Sequence, residues 1–136
     1  MNNPSQEPKA PLYAVYGTLR NGFGNNRLLQ NKFSTLIGIQ TLSAPFRMVS
    51  MGGFPGMIHT PGKESTITIE VYEVASKDVE RSLDRLEGYP GWYDKQTIET
   101  QWGTAFIYTQ TEEQVGTNPP VKSGDWVEYI TSKTKQ

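Results

Sequence analysis

The sequence predicts a mixed α+β domain built on a largely antiparallel sheet or small barrel, with one main helix and one short one. Three observations carry that prediction. Residues 66–74, T-I-T-I-E-V-Y-E-V, alternate with period two, as a half-buried strand does. Val79, Leu83 and Leu86 recur at i, i+4 and i+7, the spacing of one helix face. The other apolar runs are short and divided by glycine, proline and asparagine, the residues that punctuate turns. A chain of 136 residues has room for one domain, since domains usually run to roughly 100–200 residues. The boundaries expected are a loose leader at 1–11, which holds three prolines and little to bury, a domain at 12–130, and a tail at 131–136.

Leu12 to Tyr16, L-Y-A-V-Y, reads as a short buried strand that stops at Gly17. Gly17 to Asn26 then brings three glycines and three asparagines, a composition that favours turns and exposed backbone amides. Asn25 or Asn26 is expected to cap a short helix through Gln30. Phe33 to Leu42 and Phe46 to Met51 are further strands, with Gly52-Gly53 and Pro55-Gly56 as turns around Phe54. In the 66–74 strand, Ile67, Ile69 and Val71 share a face with Glu73. Ser76 caps the main helix, which ends at Gly88 and Pro90. Tyr93 to Trp102 and Thr104 to Thr109 form a hairpin, residues 111–124 a surface loop, and Asp125 to Ile130 a returning last strand.

Composition excludes several kinds of chemistry. Thirteen Lys+Arg against fourteen Asp+Glu leave no basic footprint for nucleic acid or an acidic membrane surface. With no cysteine and one histidine, His59, there is no thiol nucleophile, no disulfide and no zinc site of several imidazoles within one chain. His59 has no partner at metal spacing and reads as a surface or loop residue. No run nears the roughly 18 apolar residues that span a bilayer, and the first residues lack a secretory signal's apolar middle, so a cytoplasmic protein is expected.

Two stretches can carry chemistry. Tyr16-Gly17-Thr18-Leu19-Arg20-Asn21-Gly22 leaves a buried strand through flexible residues, and backbone N–H groups freed there can converge on a carboxylate or an oxyanion. An ordinary turn has the same local pattern. Arg20 can pair with a substrate carboxylate or stand exposed. The second is Glu87, in L-D-R-L-E-G-Y-P-G-W-Y, which at about 100° per residue falls roughly 70° from the centre of the apolar stripe, on the rim of the buried face. A carboxyl group there meets the negative end of the helix macrodipole, beside Tyr89, Trp92 and Tyr93, and both features suit a base tuned towards neutral pH. A solvated glutamate before a C-cap glycine is the other reading. Glu99, Glu112 and Glu113 belong to solvated faces, while Trp126 and Tyr129 either close a pocket or pack in the core.

Taken together, V-Y-G-T-L-R-N-G-F-G-N-N-R-L-L, F-P-G-M-I, E-V-Y-E-V and L-D-R-L-E-G-Y-P-G-W-Y resemble the γ-glutamylcyclotransferase-like proteins, in the branch of γ-glutamylamine cyclotransferase and the AIG2-like proteins, over Leu12 to Ile130. The resemblance implies a small, mostly antiparallel barrel with flanking helices and a pocket between the Y-G-T-L turn and the glutamate. It places Tyr16, Gly17, Thr18 and Leu19 in a substrate-holding turn, with Gly22 and Asn25 continuing that motif, Glu87 as catalytic acid/base and Tyr93 on the pocket wall. The implied reaction closes the γ-glutamyl group of a small amine or peptide to 5-oxoproline and frees the amine. It uses no cofactor and no metal, and the partner it implies is the small-molecule γ-glutamyl substrate. A non-catalytic binding module of the same fold, recognising a γ-glutamyl-like ligand or a protein, is the alternative. A structural interaction domain would instead show Tyr89, Trp92 and Tyr93 as one outward patch. Choice of amine is expected to reside in the loops at 52–61 and 111–124.

Overall fold

A computed structural model describes residues 10–134. Its centre is the strand with the clearest alternation, β5 (Ser65–Val74), in which both faces are buried: Ile67, Ile69 and Val71 point one way, Tyr72 and Val74 the other. On one side β5 pairs antiparallel with β2 (Ser34–Ala44), and on the other with β1 (Leu12–Val15). β1 runs parallel to β7 (Gly103–Thr109), which forms the expected hairpin with β6 (Asp94–Thr100). The resulting order is β2-β5-β1-β7-β6.

Closure into a barrel is not seen: β2 and β6 remain the two edges. After β2 the chain passes Pro45, which has no N–H for a ladder, and β3 (Phe46–Ser50) and β4 (Pro55–His59) form a separate two-stranded ribbon. Phe46, Met48 and Met57 of the ribbon pack with Ile67, Ile69 and Val71, so burial of the sheet face takes the place of pairing at its edge. The ribbon is held to β7 by the Gln110 N–H, which donates to the Met57 carbonyl at 2.8 Å.

The opposite face of the sheet is covered by α1 (Lys77–Glu87) and a 3-10 helix (Gly24–Leu29), which bury Leu83 and Leu29 against Tyr13, Tyr72, Val74 and Tyr108. Both signals at the ends of α1 operate as expected. Ser76 Oγ accepts from the Val79 N–H at 3.3 Å, and Gly88 closes the helix at φ 67°, a left-handed conformation suited to glycine. The 3-10 helix is not capped by Asn25 or Asn26. Phe23 occupies its N-cap position, and Asn26 is buried within it, donating to the Leu19 carbonyl and the Tyr72 hydroxyl.

Three further expectations are corrected. Pro55-Gly56 is the start of β4 rather than a turn. Proline is tolerated at the first position of a strand, and a side chain at Gly56 would meet Gln110 Oε1 at 2.8 Å and Val115 at 3.2 Å. Residues 111–124 contain α2 (Glu112–Val115), opened by a capping box between Thr111 and Gln114, and they bury Val115 and Val121. Asp125–Ile130 is no strand but part of α3 (Trp126–Thr134), which runs on into the segment assigned to the tail. Asp125 Oδ1 accepts from the Val127 and Glu128 N–H groups at 3.0 and 3.3 Å, an N-cap, and Trp126, Tyr129 and Ile130 then face the core at i, i+3 and i+4. The leader at 1–9 lies outside the described residues. Among those described, no helix is long and apolar enough to cross a membrane.

Gly124 fixes where α3 meets the sheet. Its φ is +70°, its carbonyl accepts from the Thr68 N–H at 2.8 Å, and an added Cβ would lie 1.8 Å from the Thr66 carbonyl oxygen. Gly124→Ala is therefore expected to destabilise the fold by roughly 2–3 kcal/mol, read as a lower midpoint in urea unfolding. An unchanged midpoint would mean that the backbone relaxes there without cost.

Candidate active site

The end of β1 builds one wall of the site. Tyr16 is buried, and its hydroxyl donates to the Tyr108 carbonyl at 2.7 Å, which ties the exit of β1 to β7. A turn follows, closed by the Arg20 N–H donating to the Gly17 carbonyl at 2.9 Å, and this bond leaves the Thr18 and Leu19 N–H groups outside it. Asn25 Nδ2 donates to Thr18 Oγ1 at 2.9 Å, while the Leu19 carbonyl is taken by Asn26 at 2.8 Å. Gly17 has to be glycine because the ribbon abuts it: a Cβ would lie 2.7 Å from both Cδ and Cγ of Pro55.

Arg20 secures the far side of the turn. It is buried, its Nε donates to Glu70 Oε2 at 2.8 Å, and its Nη1 donates to Asp125 Oδ1 at 2.8 Å. The other oxygen of Glu70 accepts from the Asn21 N–H at 2.8 Å. The guanidinium thus links the turn, the central strand and the cap of α3.

The opposite wall comes from the end of α1. Glu87, its last residue, is half-buried and opens into a cavity of about 470 Å³ that is also lined by Tyr16, Gly17, Thr18, Leu19 and Asn25. Such a volume lies within the range of roughly 300–1,000 Å³ usual for small-molecule sites. Phe54 and Pro55 of the ribbon and Leu86, Trp92, Tyr93 and Tyr108 complete much of the wall. The Tyr93 hydroxyl donates to the Pro55 carbonyl at 3.2 Å and that of Tyr108 to Asp84 Oδ1 at 2.6 Å. Burial pushes the Glu87 carboxyl up from its ordinary 4.5 to about 7. Burial also raises the Tyr16 and Tyr93 hydroxyls well above their usual range, and the negative charge of Glu87 adds to this. These tyrosines stay neutral donors, leaving Glu87 as the group in the cavity whose charge changes near neutral pH.

The model of the family described as "Gamma-glutamyl cyclotransferase, AIG2-like" matches residues 13–128. The chain belongs to that family. It is 36% identical over 119 residues to a Vibrio cholerae protein with gamma-glutamylcyclotransferase in its name, covering 88% of this chain and 97% of that one. To the gamma-glutamylaminecyclotransferase of Rattus norvegicus it is 29% identical over 92 residues, 64% of this chain and 61% of the relative. A crystal structure of an AIG2-like protein from Mus musculus superposes with a TM-score of 0.67 at 24% identity, covering 85% of this chain and 88% of the other, and supports the fold. The chain is thus a cyclotransferase-type enzyme by family.

Of the residues singled out in the sequence of this family member, Tyr16, Gly17, Thr18, Leu19, Asn25, Glu87 and Tyr93 line one cavity. Arg20 and Gly22 do not. Arg20 is consumed by Glu70 and Asp125, and Gly22, at φ +100°, is an exposed hinge into the 3-10 helix. Trp126 and Tyr129 pack in the core instead of closing the pocket, and Tyr89 is exposed, with Lys95 Nζ 5.1 Å from its ring centre. His59 is exposed at the end of β4, against Phe46. Sequence reasoning missed the lining roles of Phe54, Pro55, Leu86 and Tyr108. F-P after two glycines was a usable signal, because an aromatic residue in a glycine turn has little core to join. Glu70 was another, since a charge in a strand with two buried faces demands a partner.

The contact between Gly17 and Pro55 sets the width of the cavity at the turn. Gly17→Ala is expected to push turn and ribbon apart and lower kcat/KM by roughly 10–100-fold, measured on whichever γ-glutamyl compound the enzyme turns over best. Unchanged kinetics would show that the turn need not sit where it does.

Proposed function

We propose that this enzyme cyclises the γ-glutamyl group of a small γ-glutamyl amine or peptide to 5-oxoproline, with Glu87 as the acid/base. The observation that carries the reading is the Glu87 carboxyl opening into the same cavity as the Gly17–Arg20 turn. Nucleophile and electrophile reside in one substrate, so folding it onto itself supplies much of the acceleration, and well-oriented intramolecular attack can contribute roughly 7–11 kcal/mol. The glutamyl ammonium approaches Glu87, which as a carboxylate takes a proton. The freed amine attacks the carbonyl carbon of the γ-amide, a C–N bond forms, and the carbonyl oxygen becomes an oxyanion within reach of the Thr18 and Leu19 N–H groups. As the intermediate collapses, the bond to the leaving nitrogen breaks. Of the three ammonium protons, one stays on the lactam nitrogen and two pass by way of Glu87 to the leaving nitrogen, which departs as an ammonium ion.

A base that titrates at about 7 is half ionised near neutral pH, so it can accept the first proton and return it. The acidic limb of kcat/KM is accordingly expected to have a midpoint near pH 7. The test is a panel of γ-glutamyl amines and γ-glutamyl dipeptides with 5-oxoproline as the readout, across pH 5–9. Release of 5-oxoproline with that limb supports the reading, and no 5-oxoproline from any member of the panel refutes it.

A further inference from the structure

The exposed large apolar side chains of the described residues fall into two groups. Phe54, Leu86, Tyr89 and Trp92 stand at the cavity or beside it, whereas Phe33, Leu36, Ile37 and Ile39 follow one another along β2 and the residue before it, 43, 42, 37 and 56% exposed. Scattered single residues of this kind are ordinary, but a run of them along one edge strand offers a seat to another chain. β2 is such an edge, and at eleven residues it is longer than the usual strand of roughly five or six. Among the described residues no backbone hydrogen bond reaches its outer side. Its core face is taken: a Cβ at Gly38 would lie 2.5 Å from the Trp102 indole, and the Gln101 N–H donates to Gln40 Oε1 at 3.0 Å. The other face, which Leu36 and Ile39 share with Tyr72 and Glu70 of β5, is open at both residues. The two edges of the sheet also differ in charge. β6 carries Asp94, Lys95 and Glu99, side chains of the kind that keep an edge from pairing, and β2 carries no charge at all. Charge returns only at the ends of β2. Lys32 lies two residues before it, and at the far end the Ser43 hydroxyl donates to Glu64 Oε1 at 2.9 Å. Lys63, Glu73 and Lys77 stand near the same edge, but none has a side-chain hydrogen bond to β2 among the described residues, so Lys32 and the Glu64 held by Ser43 decide how the ends match.

We propose that β2 pairs antiparallel with β2 of a second copy of this chain, about a two-fold axis near Ile37 and Gly38, and so joins two five-stranded sheets into one. That register sets Leu36 of each copy opposite Ile39 of the other on the open face, and Lys32 of each beside Ser43 and Glu64 of the other. Residues opposed across an antiparallel pair have Cβ atoms about 4.5–5.5 Å apart, where apolar side chains attract and like charges repel. A strand without charge therefore suits its own copy, and burial of the apolar run supplies the driving force. The charges at the ends select the direction. The antiparallel arrangement brings Lys32 to Glu64 twice, whereas a parallel one would set Lys32 against Lys32 and Glu64 against Glu64. A two-fold axis also closes the assembly, since each copy spends its one uncharged edge on the other.

Sedimentation velocity on the whole chain is expected to show a dimer at about 100 µM, within reach of an interface of micromolar affinity. Ile39→Lys places a charge from each copy in the seam and is expected to raise the dimer Kd at least about 100-fold. Lys32→Glu turns two attractions to Glu64 into repulsions and is expected to raise Kd about 10-fold, while Lys32→Glu combined with Glu64→Lys is expected to bring it back to within about 3-fold of the unaltered protein. All three positions are exposed, and a retained cooperative thermal transition shows that each variant is folded. A monomer at that concentration overturns the proposal and leaves the patch to a different protein or to residues 1–9. A dimer that Ile39→Lys does not weaken overturns the surface, and one that the double reversal does not restore overturns the antiparallel pairing.

Discussion

Replacing Glu87 by Gln is expected to lower kcat/KM for 5-oxoproline release by at least about 10²-fold, the contribution of a positioned general acid/base. Glutamine keeps the size and one carbonyl oxygen of the side chain, so the cavity and its turn are retained while the proton relay is lost. The same substitution acts on stability with the opposite sign. In the folded enzyme burial holds the Glu87 proton up to about pH 7, while in the unfolded chain it leaves near the ordinary 4.5. Between those values the folded state binds more protons than the unfolded one, so stability falls as pH rises through that window. The loss is complete above about pH 7 and amounts to at most about 3.5 kcal/mol, from about 1.4 kcal/mol per pKa unit. Gln carries no such penalty. The variant is expected to match the unaltered enzyme in Tm at pH 4 and to exceed it at pH 8, as measured by differential scanning calorimetry. Nearly full activity in the variant would assign the proton transfer to another group, and equal Tm at pH 8 would show that the carboxyl is better solvated than its surroundings indicate.

Arg20→Ala is expected to destabilise the fold by roughly 3–5 kcal/mol, because it strands Glu70 as a buried charge. The corresponding fall in Tm is on the order of 10–20 °C. The loss has three parts: the Glu70 carboxylate keeps only neutral donors, the Asn21 N–H at 2.8 Å and the Tyr72 hydroxyl at 3.5 Å, Asp125 loses a partner that steadies the cap of α3, and the turn before Asn21 loses its anchor. Arg20→Met combined with Glu70→Met removes both buried charges and is expected to recover part of the stability, as apolar replacement of a buried ion pair often does. This distinguishes an anchoring arginine from one that binds substrate. A large rise in KM with Tm unchanged would return Arg20 to the substrate.

Much of this architecture was legible in the sequence because local and tertiary signals agreed. The alternation of residues 66–74 is that of the central strand, and Ser76 and Gly88 mark the ends of α1. Where a short segment was misread, a tertiary partner decided the outcome. Asp125 looks like a strand end until its carboxylate is seen to cap α3 while also binding Arg20, 105 residues away in the chain. Pro55 resembles a turn residue until Gly56 is found packed beneath Gln110 and Val115. The site followed the same division. Helix phase puts Glu87 on the rim of the buried face and leaves a solvated glutamate as the other reading; its shifted ionisation comes from burial by neighbours distant in sequence rather than from the helix terminus, and no local pattern carries that. The cavity lining at Phe54 and Leu86 was hidden for a related reason. Leu86 fits the stripe of α1 as a core residue, yet α1 ends at the cavity and leaves it without a cover.

The most direct test of intramolecular attack is isotopic. The enzyme is incubated with the γ-glutamyl compound it turns over best in water enriched in oxygen-18, and the products are resolved by mass spectrometry. Attack by the substrate's own amine predicts unlabelled 5-oxoproline in one-to-one ratio with the released amine. Glutamate carrying the heavy oxygen would instead mean that water is the nucleophile and that the cavity does not fold its guest into a ring.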